Sequence, residues 1–273
     1  MARSRGYSRS LIRRLNDMAV RGHNVVYVYR SSFMLRFLQF IAVGFPRRIR
    51  LEWRYVLVAT VLFCAPLVAI ALLVYSAPEY VYSIFGAEAV RSYETMYGPE
   101  QAVLGRERGS DTDFAMFGHY ILNNISIAFR MLAGGLALGL ITLFYLIYNG
   151  VFIGGVAGHL IQLGYQERFL SFVSGHGALE LTGLVLAGAG GLILGHALID
   201  PGTQTRLDAL KLAGRRSIEI AFGATLMLTI AAFIEAFWSS STNVVPAVKY
   251  GVAAVLWTLV FCYFIFAGRR HGA

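Results

Sequence analysis

Seven ionisable and amide side chains fall inside apolar stretches of the sequence. They are His119, Asn123, Asn124, His159, His176, Glu180 and Glu235, and they come from four separate stretches. An ionisable group inside a bilayer costs about 2.5–3.5 kcal/mol on the insertion scale, so such groups persist where they have partners or a function. His176 and Glu180 are four residues apart and therefore share one helix face. Residues of these types could bind a ligand, hold a metal ion or carry protons.

Three interpretations of these residues are open at this point. In the first, neutral glutamates or Glu–His pairs hydrogen-bond helices to each other without any chemistry. In the second, His176 and Glu180 are ligands of a zinc site that leaves one position open for a reaction. The third ligand would be His159, His119 or Glu235. In the third interpretation, Glu180 and Glu235 titrate along a proton or ion path.

No complete catalytic motif is present in the sequence. The spacing His176-x3-Glu180 lacks the second histidine of the zinc-protease helix, so an enzyme is not the favoured class. Arg130 lies inside the second apolar stretch, where its guanidinium either extends toward a headgroup region or pairs with Glu180 or Glu235. His196 lies near the inner end of its own stretch and is expected to be separate from the other polar residues.

The composition is that of a membrane protein. The chain has 273 residues, of which 57% are hydrophobic and 14% charged, with a mean hydropathy of +0.60. A soluble domain would carry about a quarter charged residues. The N-terminal basic stretch precedes a hydrophobic run, which favours cytoplasmic orientation and contact with anionic lipid over nucleic acid. Cys64 and Cys262 give no spaced metal motif and are expected to be small buried residues.

The hydropathy and charge patterns predict an all-α, polytopic fold with two segments. Residues 1–50 form a basic segment of short cytoplasmic or interfacial amphipathic helices, and residues 51–273 form a domain of six transmembrane helices with an extracytoplasmic loop at 77–115. The predicted spans are 55–75, 117–139, 142–163, 174–198, 217–238 and 248–267. Basic loops place both termini in the cytoplasm, and this topology puts the seven polar residues near the outer ends of their helices.

Several groups of residues resemble the stage II sporulation protein M family. They are Asn123–Asn124 with Ser126–Ile127, Gly134–Gly135, Asn149–Gly150 with Gly154, His176–Gly177 with Glu180–Leu181, Ala189–Gly190–Gly191–Leu192, Pro201–Gly202, and Ala231–Ala232 with Glu235. The resemblance implies a multi-pass protein of the bacterial inner membrane that belongs to a complex. It also implies that His176, Glu180, Glu235, Asn123 and Asn149 are important. The sporulation member acts with a peptidoglycan amidase and a transglycosylase, and relatives tend to be encoded beside a MoxR-type ATPase.

The expected function is that of a scaffold or anchor in a cell-envelope complex. In this reading the polar residues form an outward-facing pocket for docking or ligand binding, lined by His176, Glu180, Glu235, Asn123, Asn124, His119, Asn149 and Arg130. The first alternative is an intramembrane metal-dependent hydrolase at the outer leaflet, with zinc held by His176, Glu180 and His159. The second is a small-solute or ion transporter that uses Glu180 and Glu235. Expected partners are lipid and other envelope membrane proteins, including a second copy of the chain.

Overall fold

The computed structural model describes residues 8–23, 29–100, 113–241 and 243–269. Within these ranges every regular element is helical, in agreement with the predicted all-α class. The helices are α1 (Arg9–His23), α2 (Tyr29–Gln39), α3 (Phe45–Leu51), α4 (Trp53–Ser76), α5 (Val81–Ile84), α6 (Ala87–Tyr97), α7 (Asp113–Ala133), α8 (Leu140–Gln162), α9 (Gln166–Ile199), α10 (Arg206–Ile234) and α11 (Pro246–Phe266). Single π-helical turns occupy Phe40–Gly44 and Glu235–Ser239.

Five helices among the described residues are long and apolar enough to cross a membrane. They are Trp53–Ser76, Leu140–Gln162, Gln166–Ile199, Arg206–Ser239 and Pro246–Phe266. The remaining predicted span is α7, which has 21 residues. It has the length of a span but not the hydropathy of those five, because Asn123, Asn124 and Arg130 all lie on it. The chain is a multi-pass membrane protein, and length and composition support five spans where six were predicted.

The turn between α7 and α8 comes earlier than the sequence pattern predicted. The second span was expected to reach residue 139, but α7 ends at Ala133 and α8 begins at Leu140. The chain reverses through Leu138 and Gly139, whose φ angles are 56° and 80°. Glycine reaches a positive φ at little cost because it has no Cβ, so Gly139 allows the reversal. Hydropathy could not locate this turn, since the turn residues are themselves apolar.

Helix α9 lies at the centre of the bundle, and α7 runs beside it in the same direction. A Cβ on Gly135, in the turn directly after α7, would lie 2.3 Å from the carbonyl oxygen of Gly191 in α9. Eleven residues earlier in each segment, Asn124 of α7 faces the carboxylate of Glu180 in α9. Eleven helical residues span about 16 Å. The two helices therefore stay adjacent through the polar region of the bundle.

Glycines pack α8 directly against α4. At Gly150, Gly154 and Gly158 a Cβ would lie 2.3–2.4 Å from a carbonyl oxygen of α4. Each glycine is four residues from the next, so all three share one face of α8. The opposite side of α8 is thereby directed toward α7 and α9, where the polar residues of the sequence analysis lie.

The N-terminal segment contains helices, and its last helix is part of the bundle. Phe45 of α3 is 2% exposed, and its ring fills the space beside Gly223 of α10. Arg48 donates from Nε to the carboxylate of Glu219 at 2.6 Å. Leu15 of α1, by contrast, is 45% exposed. The placement of α1 and α2 at a membrane interface stays a prediction.

The structure agrees with the prediction for His196 and disagrees with the prediction for the two cysteines. His196 is hydrogen-bonded through Nδ1 to the hydroxyl of Tyr55, which agrees with its predicted separation from the other polar residues. Cys64 and Cys262 are exposed on the outer surface of the bundle, so the expectation that both are buried is wrong. The reason is that α4 and α11 lie at the periphery, where each presents a broad apolar face.

Candidate functional site

A cavity of about 530 Å³ lies between α6, α7, α8, α9 and the π turn that follows α10. Its polar lining residues are Tyr93, Tyr97, Tyr120, Asn123, Ser126, Arg130, Tyr145, Tyr148, Asn149, His176, Glu180 and Glu235, and its apolar ones are Met96, Ile127, Phe152, Ile153, Val156, Phe169, Phe172, Val173, Gly177 and Leu181. Six of the eight predicted pocket residues therefore line one cavity. Its volume lies within the range of small-molecule sites, about 300–1,000 Å³.

His176, Glu180 and Glu235 converge at one place on the cavity wall. One ligand-type atom from each of the three side chains lies within 4.8 Å of the other two. His176 and Glu235 are 3% and 7% exposed, and His176 Nε2 is 3.3 Å from Glu180 Oε2. His176 and Glu180 come from adjacent turns of α9, whereas Glu235 enters from the π turn after α10. Tertiary packing therefore adds the third member.

Ser239 orients the imidazole of His176. The Ser239 hydroxyl is 3.0 Å from His176 Nδ1, which leaves Nε2 directed toward Glu180. This approach requires a glycine at position 175, because a Cβ there would lie 2.5 Å from the Ser239 hydroxyl and 2.7 Å from the ring of Trp238. A hydrogen-bonded second nitrogen is the usual arrangement for a histidine that binds a metal through the first.

Lys249 holds the turn that carries Glu235 and Ser239. It is 1% exposed, and its ammonium donates to the carbonyl oxygens of Ser239 and Ser241, each at 2.7 Å. These carbonyls lie at the end of the α10 helix, where backbone acceptors lack helical partners. Sequence reasoning missed both Ser239 and Lys249. The signal for Lys249 was available, since it is an ionisable residue inside the predicted sixth span.

Two of the three asparagines line the cavity, and the third is buried behind it. Asn123 donates from Nδ2 to Oδ1 of Asn124 at 3.0 Å, and Asn124 is 3% exposed beside Glu180. Asn149 donates to the carbonyl oxygen of Tyr145, one turn earlier in α8, at 2.7 Å. Asn123 and Asn149 line the cavity from opposing helices. They could hydrogen-bond a ligand there.

Two predicted site residues lie away from the convergence of His176, Glu180 and Glu235. His119 packs against the ring of Tyr120 and is not among the described residues that line the cavity. His159, the predicted third zinc ligand, is instead 2.8 Å through Nε2 from Oε1 of Glu94 on α6. The third ligand-type group beside His176 and Glu180 is thus Glu235. The predicted topology placed His159 at the same depth as the other polar residues. It could not show that α6 lies close enough to His159 to pair with it.

Helix α6 forms a roof over the end of the cavity that lies beside Glu180 and Glu235. Glu94 fastens it to His159, while Tyr97 lies edge-on to Phe169 and Phe172 of α9. Burial raises the pKa of Tyr97 well above its usual range, and the nearby Glu235 carboxylate adds to the effect. Its phenol therefore stays neutral at physiological pH and can serve as a hydrogen-bond donor.

The three converging side chains fit a zinc-type donor set. Zinc ligands at about 2.0–2.2 Å from the ion stand roughly 3.4 Å apart, so small side-chain movements would bring Nε2 of His176 and the two carboxylates into position. A histidine and two carboxylates would leave one of the four positions of a tetrahedral zinc site for water or a substrate. Without an ion, the same groups can share protons in a hydrogen-bonded cluster.

Comparisons with known proteins identify the family. A model of the family described as stage II sporulation protein M matches residues 59–240. An uncharacterised protein of Methanocaldococcus jannaschii is 27% identical over 131 residues, which cover 44% of this chain and 69% of the archaeal one. No solved structure matches the chain. The matched residues include α7, α8, α9 and the Glu235 turn, which together form most of the cavity. The chain belongs to the stage II sporulation protein M family.

Proposed function

We propose that this protein is a six-span component of the bacterial inner membrane that binds a ligand in an outward-facing cavity and anchors a cell-envelope complex. α7 is the sixth span in this proposal, since its 21 residues would extend about 31 Å and it stays beside α9. Both termini then lie in the cytoplasm. The roof helix α6 and the outer end of the cavity face the periplasm, where peptidoglycan-remodelling partners would be reached.

One observation carries the ligand-binding part of the proposal. Buried polar groups whose only role is to join helices need hydrogen bonds but no open space. Here His176, Glu180 and Glu235 meet at the wall of a cavity of about 530 Å³, beside Asn123 and several tyrosines. Polar groups that converge on a partly apolar cavity are the usual features of a binding site.

A cavity-filling variant tests this part. Ser126→Phe adds a ring to the cavity wall, and Leu122→Phe is its matched control because Leu122 lies on the same helix and is 73% exposed outside the cavity. We expect native mass spectrometry to detect a co-purifying small molecule on the wild type and on Leu122→Phe, and to find it lost from Ser126→Phe. Equal retention by all three proteins would contradict the proposed pocket.

Affinity purification from native membranes tests the anchoring part. We expect the wild-type protein to recover the same envelope proteins in repeated experiments, such as a peptidoglycan-remodelling enzyme or a MoxR-type ATPase. This expectation rests on the family resemblance and on the periplasmic position proposed for α6. Recovery of no consistent envelope partner would contradict a scaffold role while leaving the ligand pocket standing.

The convergence of His176, Glu180 and Glu235 favours a second candidate function, a zinc-dependent hydrolase at the outer leaflet. A bound zinc ion would supply an activated water or polarise a substrate carbonyl. We expect about one zinc per purified wild-type chain and none in His176→Ala. His159→Ala is the matched control, since that histidine pairs with Glu94 and should leave the zinc content unchanged. Absence of zinc from the wild type would contradict this candidate.

A further inference from the structure

Arg130 lies at the end of the cavity opposite to His176, Glu180 and Glu235. It follows Asn124 by six residues on α7, so its backbone is about 9 Å deeper in the bundle than the level of Glu180. Tyr145 of α8 lines the same inner end. Arg130 makes no ion pair with Glu180 or Glu235, nor with any other described residue. The pairing considered in the sequence analysis is therefore not formed.

A guanidinium at this depth calls for a counter-charge. Arginine is always protonated and is costly inside a membrane unless it is paired or solvated. Two acids at the inner end of the described bundle already have basic partners. Glu219 binds Arg48, and Glu52 lies 3.4 Å from Arg216. An anion bound in the cavity would satisfy Arg130 through its five donors.

The side of the cavity beside Tyr148 reaches the outer surface of the bundle. Tyr148 lines the cavity and is 48% exposed. Its ring stacks on Phe144, which is 59% exposed on the outer face of α8, at a centroid distance of 5.6 Å. The periplasmic end is covered by α6, through Tyr97 and the Glu94–His159 pair. The open route from the described part of the bundle therefore leads sideways, between α7 and α8, into the lipid.

The cavity presents polar and apolar surface side by side. α7 contributes Asn123, Ser126 and Arg130, which lie on one helix face at spacings of three and four residues. α8 contributes the apolar Phe152, Ile153 and Val156 and, on the same helix, Asn149 and two tyrosines. A chamber that combines a row of polar side chains with apolar surface and opens sideways at membrane depth suits an amphiphile.

We propose that the ligand of this cavity is a phosphate-bearing membrane lipid whose phosphate binds Arg130. The acyl chains leave between α7 and α8 past Tyr148 and Phe144, and the polar headgroup extends along Asn123 toward Glu180 and His176. Arginine recognises phosphate oxygens through two parallel hydrogen bonds. This inference rests on the proposed ligand-binding function of the same cavity and specifies its ligand class.

Native mass spectrometry of the purified full-length protein tests this assignment. The probes are phosphatidylglycerol, a diacylglycerol with the same chains, and soluble glycerol 3-phosphate. The wild type and the control Leu122→Phe should bind phosphatidylglycerol about tenfold or more tightly than diacylglycerol, as expected for charge-assisted hydrogen bonds. Arg130→Gln should lose that preference while still binding both lipids at the diacylglycerol level. Ser126→Phe should bind neither lipid.

The contrary outcomes separate the two proposals. If Arg130→Gln prefers phosphatidylglycerol as strongly as the wild type does, the phosphate assignment is overturned while the pocket stands. If glycerol 3-phosphate competes at the same concentration as phosphatidylglycerol, the ligand is a soluble phosphate ester and not a lipid. If Ser126→Phe binds both lipids normally, the cavity is not their site and the proposed pocket fails as well.

Discussion

The imidazole of His176 is fixed between two neighbours of different kinds. Ser239 holds its Nδ1 at 3.0 Å, and the carboxylate of Glu180 lies 3.3 Å from its Nε2. This arrangement selects one ring orientation and directs Nε2 toward the place where Glu235 also points. The geometry of this site therefore depends on residues that do not belong to the group of His176, Glu180 and Glu235. Gly175 and Lys249 are the clearest examples.

The glycine at position 175 is required for the contact between α9 and the Glu235 turn. We expect Gly175→Ala to destabilise the protein by about 1–3 kcal/mol, the usual cost of overpacking, because the added Cβ would meet the Ser239 hydroxyl at 2.5 Å. Gly177→Ala is the matched control, since its Cβ would lie 3.6 Å from the nearest side-chain atom, on Val173. Thermal unfolding in detergent measures both. Similar midpoints for the two variants would argue against a specific role for Gly175.

Lys249 allows a comparison between the two lysines of the chain. We expect Lys249→Met to cost about 2–4 kcal/mol, because the carbonyls of Ser239 and Ser241 lose a charged donor. Lys211→Met removes only an exposed pair with Asp208 and should have little effect. Denaturant unfolding would compare the two variants. If the Lys249→Met protein is as stable as Lys211→Met, the turn at Glu235–Ser239 does not need the lysine for its stability.

At the scale of elements, the cavity depends on helices that leave a gap and on one that covers it. The glycines at positions 150, 154 and 158 allow α8 to pack closely against α4, and Gly135 allows the segment after α7 to pack closely against α9. These contacts fix three walls and leave space between α7 and α8. Helix α6 then covers the end of the cavity beside Glu180 and Glu235. Its Glu94 pairs with His159 of α8.

We expect Glu94→Gln to loosen α6 because it removes the charged partner of His159 at 2.8 Å. Hydrogen exchange across residues 87–97 should become several-fold faster, since only the apolar and aromatic contacts of Val90, Tyr93 and Tyr97 would still attach the helix. Glu88→Gln on the exposed first turn of the same helix is the control and should exchange like the wild type. Unchanged exchange in Glu94→Gln would mean that aromatic packing alone holds the roof.

At the scale of the whole molecule, the number of crossings decides which side each loop occupies. Five helices qualify as spans by length and composition, and α7 makes the sixth in our proposal. With six spans the loop at Thr203 is cytoplasmic and Ser92 of α6 is periplasmic. If α7 does not cross, the loop at Thr203 moves to the periplasmic side, because one reversal of direction is lost.

Cysteine labelling tests this topology. In a background with Cys64→Ser and Cys262→Ser, we expect Ser92→Cys to react with a membrane-impermeant maleimide on spheroplasts. Thr203→Cys should react only after lysis. Both positions are exposed, so lack of reaction reflects the side of the membrane and not burial. Labelling of Thr203→Cys on intact spheroplasts would favour the five-span arrangement.

Sequence patterns predicted the site better where residues are close along the chain. His176 and Glu180 follow from helical spacing, and six of the eight predicted pocket residues line the cavity. His159 pairs with Glu94, and Glu235 is the group that meets His176 and Glu180, because depth in the membrane does not specify the direction in which a side chain points. The roles of Ser239 and Tyr97 could not be predicted from the sequence, because each residue acts through a contact with a segment far away in the chain.

The sequence by itself determined the class of this protein. A helix crosses a bilayer when it is long and apolar enough, and apolar length, basic loops and helical spacing are all local properties of the sequence. The sequence also determined that costly polar residues would lie inside those spans. Only the tertiary structure decided which of them meet. Glu235 and not His159 joins His176 and Glu180, and Arg130 lies at the far end of the cavity, because close glycine contacts set the rotation and separation of whole helices.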